Sequence, residues 1–313
     1  PLYSSAASDV YKRQHKNYSI SSHPEITLEA NPDDLTPDYI AMLRTLPFNR
    51  LSMGIQTFNE SILKVLQRRH TARQAIEAFQ NCRAAGFQNI SIDLMYGLPG
   101  ETLSTWQQDL DQALLLHPEH LSAYHLIYEE DTVLWKLREQ HKVEEADEDL
   151  SVSLFSTLID RLTSEGYDHY EISNFSLPGL YSRHNSSYWT EKKYLGCGPS
   201  AHSYNGVSRQ WNVASLDTYI KGISAGTPVF EIEELDLYTR YNDFVITRIR
   251  TEWGMPLSKL RDEFGEKLYD YCLRMAAPHL KQGTLELVND ILKLTRKGIF
   301  ISDGIMSDML WTD

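Results

Sequence analysis

The chain has 313 residues, 42% hydrophobic and 23% charged, and its 43 acidic against 30 basic side chains leave a net charge of −13. That length allows one barrel-sized domain or two smaller ones with ample core, and the acidic balance argues against a general nucleic-acid or anionic-membrane partner, since both need basic surface. No apolar run approaches the ~18 residues of a membrane span, and no signal peptide is visible. Cys82, Cys197 and Cys272, separated by 115 and 75 positions, form no disulfide or metal pattern. A reduced, cytoplasmic protein is the expectation, with peripheral membrane contact left open.

Residues 1–14 are small and polar, carry no periodic pattern and lack an initiator Met. We expect an unstructured or foreign segment over 1–22, at the start of an N-terminally truncated fragment. From Glu25 onward, apolar runs alternate with amphipathic stretches, a βα signature. A strand is predicted over 25–30, then a helix entered at Thr36-Pro37, a favourable N-cap and N1 pair. Further strands are predicted over 50–55, 90–95 and 121–127. Helices are predicted from Asn59, over 71–85 ending at Gly86, and over 103–116. The acidic run 144–149 opens a long helix to about Ser164, where negative charge suits the N-terminal dipole. Polar residues cluster where these strands end: Glu29 and Asn31, Gln56, Asp93 and His125. In βα barrels that end forms the active face.

Residues 170–204 differ in kind. They hold His184 and His202, several tyrosines, Trp189 and the Gly-rich turn Leu195-Gly-Cys-Gly198, with little apolar periodicity. Imidazole can ligate a metal, aromatic side chains can stack on a flat ring system, and Gly permits close backbone approach. The composition suits a site for a flat cofactor. From Leu235 the pattern becomes helical and ends in two predicted strands, 283–288 and 291–298, like a small winged-helix module. Its 11 Lys/Arg against 12 Asp/Glu over 236–313 leave no basic stripe for DNA, so a lid or docking module is expected.

Several strings occur in order: Glu29-Ala-Asn-Pro32, Arg50-Leu-Ser-Met-Gly-Ile-Gln-Thr-Phe-58, Asp93-Leu-Met-Tyr-Gly-Leu-Pro-Gly100, Tyr170-Glu-Ile-Ser-Asn-Phe175, His184-Asn-Ser-Ser-Tyr-Trp189 and Leu195-Gly-Cys-Gly-Pro-Ser-Ala201. Together they resemble the radical SAM family of oxygen-independent coproporphyrinogen III oxidase. The 170–175 and 184–189 strings resemble its heme-chaperone branch more closely than the oxidase. The resemblance covers residue 23 to the C-terminus. It implies an α/β fold: a partial (β/α)6 radical SAM barrel over 23–234, lacking its first strands, and a C-terminal helical, winged-helix-like module over 235–313. It further implies that S-adenosylmethionine lies across the strand ends, met by Glu29, Gln56, Arg68, Asp93 and Ile127. Carboxylates there can accept from amino and hydroxyl groups, and Arg68 can take the ligand carboxylate in bidentate fashion. The bland alternative for Arg68, with Arg69 and His70, is an exposed basic helix end.

The heme-chaperone resemblance makes His184 the candidate ligand to heme iron, with Asn185, Tyr188 and Trp189 shaping the site. Cys197 is a conceivable second ligand, although a small residue in a tight turn is the simpler account. His202 and Tyr204 are candidate lining. The family's Cys-x-x-x-Cys-x-x-Cys motif, which ligates a [4Fe-4S] cluster, is absent from this chain. We expect the cluster and S-adenosylmethionine to belong to a longer protein. Two functions compete: a carrier that delivers heme to acceptors such as respiratory-chain enzymes, and a porphyrinogen oxidase. The 184–189 element favours the carrier.

Overall fold

The computed structural model describes residues 12–312. The proposed foreign segment lies partly outside these residues. Of its described part, residues 12–17 form a short helix, α1, with the Asn17 side chain donating to the Arg13 carbonyl at 2.7 Å. The chain divides into two compact units, residues up to 169 with 173–181, and residues 170–172 with 182–313. The expected boundary at 234/235 does not coincide with this division, because 182–234 sits with the C-terminal residues.

The βα alternation read from sequence organises the first unit. In chain order it holds β1 (Thr27–Ala30), α2 (Pro37–Leu43), β2 (Arg50–Gln56), α3 (Glu60–Val65), α4 (Ala72–Ala84), β3 (Ile90–Tyr96), α5 (Leu103–Leu115), β4 (His120–His125), α6 (Val133–Glu139), α7 (Glu148–Ser164), the first half of β5 (Asp168–Glu171), whose last two residues fall in the second unit, and β6 (Asn174–Ser176). The sheet order is β1-β2-β3-β4-β6-β5; β1 to β4 run parallel and β6 pairs antiparallel to β4. Caps set the helix starts. Thr36 accepts from the Tyr39 amide, Thr71 and Gln74 form a reciprocal capping box, and Asp147 accepts from the Leu150 amide at 2.7 Å. The acidic run 144–149 is therefore mostly approach to a helix that begins at Glu148.

Strand alternation gives the sheet two different faces. Leu51, Met53, Ile55, Ile90, Ile92, Leu94, Leu121 and Phe175 are wholly buried on one of them. Phe79, Trp106, Leu110, Leu154 and Leu158, from α4, α5 and α7, supply the helical side of this unit's core. The register Glu29↔Ser52↔Ser91↔His120↔Ser176, followed by Gly54↔Asp93↔Ser122↔Asn174, makes the opposite face polar. Seven of its polar side chains are buried: Arg50, Ser52, Ser91, His120, Ser122, Asn174 and Ser176. A sheet buried on both faces, with one face polar, fits a barrel wall rather than a sheet packed between two apolar layers.

The second unit holds α8 (Arg183–Trp189), β7 (His202–Tyr204), β8 (Ser208–Asn212), α9 (Leu216–Ala225), β9 (Phe230–Glu234), α10 (Leu237–Ile249), β10 (Met255–Pro256), α11 (Leu257–Gln282), β11 (Leu285–Val288), β12 (Ile291–Leu294), α12 (Arg296–Ile299) and α13 (Ser302–Met309). The antiparallel sheet β7-β8-β9 has no counterpart in the sequence reading, because three-to-five-residue strands carry too little alternation to register. The core joins Tyr241, Phe244, Val245 and Ile249 of α10 to Leu260, Phe264, Leu268 and Cys272 of α11. The small sheet β10-β12-β11 against these helices matches the winged-helix expectation, with one correction. The final predicted strand stops at Leu294, since Thr295 caps the next turn by accepting from the Gly298 amide at 3.1 Å.

Candidate functional sites

The C-terminal end of β2 is the first convergence of polar groups. A bulge between Gly54 and Gln56 breaks the ladder, and Gln56 takes a left-handed backbone with φ 70°. Arg68, just beyond α3, turns back over this end. Its Nη2 donates to Asn31 Oδ1 at 2.6 Å and to the Gly54 carbonyl at 2.8 Å. A Cβ on Gly54 would lie 3.0 Å from Gln56 Nε2, 3.6 Å from Arg68 Nη2 and 3.8 Å from Asn31 Oδ1, so three polar ends surround one bare backbone position. Arg68 Nε is buried with no acceptor. The basic-helix-end alternative describes Arg69, which is exposed and pairs with Asp33 at 2.8 Å. It does not describe Arg68, nor His70, which is buried with Nε2 3.1 Å from the Ile55 carbonyl.

Asp93 sits one strand over, opposite Gly54 in register. Ser52 Oγ donates to both its oxygens at 3.2 Å, and Ser122 also bonds it. Burial lifts its carboxyl to about 6, the serine bonds and the charge of Arg50 oppose the rise, and the nearby Glu29 carboxylate adds to it. Glu29 itself is exposed on β1, and Ile127, beyond β4, is 74% exposed. Glu29, Gln56, Arg68 and Asp93 thus gather at the ends of β1 to β3, while Ile127 stands on the segment after β4.

The loop leaving β3 is braced by a buried acid. Glu101 Oε2 accepts from the Gly97 amide at 2.7 Å and the Leu98 amide at 3.3 Å, while its Oε1 is buried without a partner. Burial pushes Glu101 up to about 7, helped by the charge of Asp109, and burial pushes Asp109 to about 6. A carboxyl whose folded-state pKa is raised holds its proton more tightly when folded. The stabilisation from Glu101 is therefore complete below its ordinary 4.5 and is lost as pH rises through about 7. We expect urea melts to show this unit weakening by roughly 1–3 kcal/mol between about pH 5 and pH 8. Glu101→Gln should flatten that dependence, and an unaltered slope in the variant would remove Glu101 as its source.

The 170–204 segment supplies the second convergence. Ser182 Oγ caps α8 by accepting from the Asn185 amide at 3.3 Å. His184 and Tyr188, one turn apart, are both exposed; the Tyr188 hydroxyl lies 2.9 Å from His184 Nε2 and the rings meet edge to face at 5.0 Å. Tyr188 continues edge-on to Tyr194 at 4.9 Å, and Tyr194 reaches Tyr204 at 6.0 Å. Asn185 and Trp189, on the next row of the helix, are only part-exposed. The indole of Trp189 lies beneath Arg250, whose guanidinium carbon is 4.2 Å from the ring centroid. The four motif residues therefore divide, two outward and two inward. Cys197 is exposed in its turn, where Asn212 Nδ2 donates to the Gly198 carbonyl at 2.9 Å and the Tyr219 hydroxyl accepts from the Gly198 amide at 3.0 Å. His202 stacks on Trp211 at 6.0 Å.

Comparison with known proteins establishes the family and the fold. The Radical SAM superfamily model matches residues 1–113 and the HemN C-terminal domain model matches 235–301. The chain is 30% identical over 287 residues to heme chaperone HemW of Bacillus subtilis, covering 91% of this chain and 76% of that protein. It is 32% identical over 292 residues to heme chaperone HemW of Lactococcus lactis, covering 92% and 76%. The chain belongs to the heme chaperone HemW family. Among solved structures, the radical SAM coproporphyrinogen III oxidase HemN of Escherichia coli shares the fold, with a TM-score of 0.80 at 22% identity over 96% of this chain and 73% of that one.

Radical SAM membership implies a [4Fe-4S] cluster and S-adenosylmethionine, and this HemW-family chain fits the two unequally. The polar cradle around Gly54, with the orphaned Arg68 Nε, suits a ligand bearing a carboxylate and amino group. The thiols do not suit a cluster. Cys82 on α4 and Cys272 on α11 are fully buried, and burial pushes each up to about 11. Among the described residues no group of three or more His, Cys, Asp or Glu side chains is placed to hold a metal ion. Nor is any described helix long and apolar enough to cross a membrane. Sequence reasoning missed Asn31 as the anchor of Arg68, and Glu171, Glu191 and Arg250 around α8. Asn31 and Glu171 gave a signal, by their places in the 29–32 and 170–175 strings; Glu191 and Arg250 gave none.

Proposed function

We propose that this chain is a heme carrier, binding heme at α8 through His184 and passing it to an acceptor protein, with the strand-end residues Glu29, Gln56, Arg68 and Asp93 as the S-adenosylmethionine contacts and Ile127 as an apolar one. The observation that carries the heme reading is an exposed imidazole on a helix whose neighbouring surface is aromatic: His184 with Tyr188, then Tyr194. Bound heme supplies iron for axial ligation; the chain supplies the ligand and flat aromatic walls. Ligation through Nε2 requires Tyr188 to yield its hydrogen bond, a cost of about 0.5–1.5 kcal/mol. Exposure suits delivery, since a carrier must release what it binds. Acceptors, among them respiratory-chain enzymes, remain part of the proposal, as does a cytoplasmic location.

A porphyrinogen oxidase is the second reading, supported by the shared fold with the Escherichia coli oxidase and by the strand-end cluster. It requires a reducing cluster that the three thiols of this chain are not arranged to hold. Hemin titration separates the two. The chain should develop a shifted Soret band that weakens about tenfold or more in affinity in His184→Ala. An unchanged spectrum in that variant removes His184 as ligand, and turnover of coproporphyrinogen III by the full-length, cluster-reconstituted protein decides for the oxidase.

A further inference from the structure

The 170–175 string and the 184–189 element meet through a residue that belongs to neither. Glu171 is buried, and its Oε1 accepts from Arg250 Nε at 2.6 Å and Nη2 at 2.5 Å. The same guanidinium covers the Trp189 ring. Backbone contacts lock the arrangement: Glu171 bridges to Thr251, and the Glu252 amide donates to the Tyr170 carbonyl at 3.0 Å. Two residues beyond α8, Glu191 takes a left-handed backbone with φ 57°, and its Oε2 accepts from Arg248 Nη2 and Lys259 Nζ, each at 2.8 Å. Arg248 lies on α10 and Lys259 on α11, so the C-terminal end of α8 is held twice, by an indole under a cation and by a carboxylate between two helices.

A seven-residue helix has little stability of its own, so tertiary contacts must set how α8 is rotated and seated. His184 and Trp189 ride on one rigid backbone. Any rotation that frees Trp189 from Arg250 turns His184 through the same angle. We propose that Glu171, Arg250 and Glu191 are positioning residues for His184, so that the C-terminal helical module sets the geometry at which imidazole and Tyr188 meet the heme face. This rests on the heme reading above, and the three act on His184 through the seat of α8. It also assigns the 170–175 string a role: it holds the cation that seats the heme helix.

The test uses the whole chain with Arg250→Lys, which keeps a cation near Glu171 but loses the planar fork and the stack, and Glu191→Gln, which keeps shape but not charge. Without heme, amide exchange at 183–189 should quicken about tenfold in both variants, while exchange in the α10–α11 core is unchanged. With hemin, both should bind about tenfold more weakly and shift the Soret band from its wild-type position. Wild-type exchange and a wild-type spectrum would overturn the positioning role, as would exchange that quickens equally throughout the unit. If exchange quickens only at 183–189 while His184→Ala binds hemin as wild type does, the seating of α8 stands and the heme reading falls instead.

Discussion

Anaerobic reconstitution of this chain with ferrous iron and sulfide should leave it without the broad sulfide-to-iron absorption of a [4Fe-4S] cluster. Such a cluster needs thiolates converging on its irons, commonly from a closely spaced run. This chain has three cysteines, none within 70 positions of another. Cys82 and Cys272 are also poor thiolates. Each is fully buried in a helix, and burial pushes each thiol up to about 11, so at neutral pH roughly one in ten thousand is ionised. Only Cys197 is exposed. Iron and sulfide analysis after desalting should therefore read near zero. Retention of about four irons per chain would require ligands other than those described and would refute the account. The relatives from Bacillus subtilis and Lactococcus lactis are matched over 76% of their length, so the same measurement on a longer family member is the natural comparison.

Gly196→Ala should damage the second unit severely. A Cβ at that position would lie 2.1 Å from the His202 carbonyl oxygen and 2.8 Å from the His202 carbonyl carbon and amide nitrogen. All three are backbone atoms, and they cannot swing aside as a side chain would. The hairpin is held there by the reciprocal Tyr194–Tyr204 backbone bonds, at 3.0 and 2.9 Å, and by Ser203 Oγ accepting from the Gly196 amide at 3.0 Å. Relief of the clash means parting these strands, at a cost of about 3 kcal/mol or more. Gly198→Ala is the control. Its backbone is left-handed with φ 122°, yet nothing lies within 4 Å of the added Cβ, so only conformational strain of about 1–2 kcal/mol is expected. Urea melts should rank the two variants in that order. Equal losses would mean that backbone strain rather than close approach governs the turn. Because Tyr194 walls Tyr188, Gly196→Ala should also weaken hemin binding.

Much of the first unit was legible because its signals are local. Thr36, Thr71 and Asp147 cap helices at the positions their residue types indicate. The run Arg50-Leu-Ser-Met-Gly-Ile55 reads as a strand before any partner is known, and it lies within β2 (Arg50–Gln56). The second unit was less legible. Its strands β7 to β9 are short, and α8 is a seven-residue helix with no apolar stripe. The predicted strand beyond Leu294 failed because a threonine cap competes successfully with four more residues of extended chain.

By itself, the sequence determined the order of strands and helices through the parallel part of the first unit and the placement of Glu29, Gln56 and Asp93 at strand ends. These follow from a period of two, a period of 3.6 and cap chemistry, each confined to a few adjacent residues. Tertiary structure alone decided that Arg68 turns inward onto Asn31 while Arg69 stays in solvent, and that His184 faces out while Trp189 is pinned beneath Arg250. Those choices depend on partners distant in the chain; Glu171 and Arg250 are 79 positions apart. No local period records such a pairing. It is set by which buried charge finds its counter-charge once the backbone has brought them together.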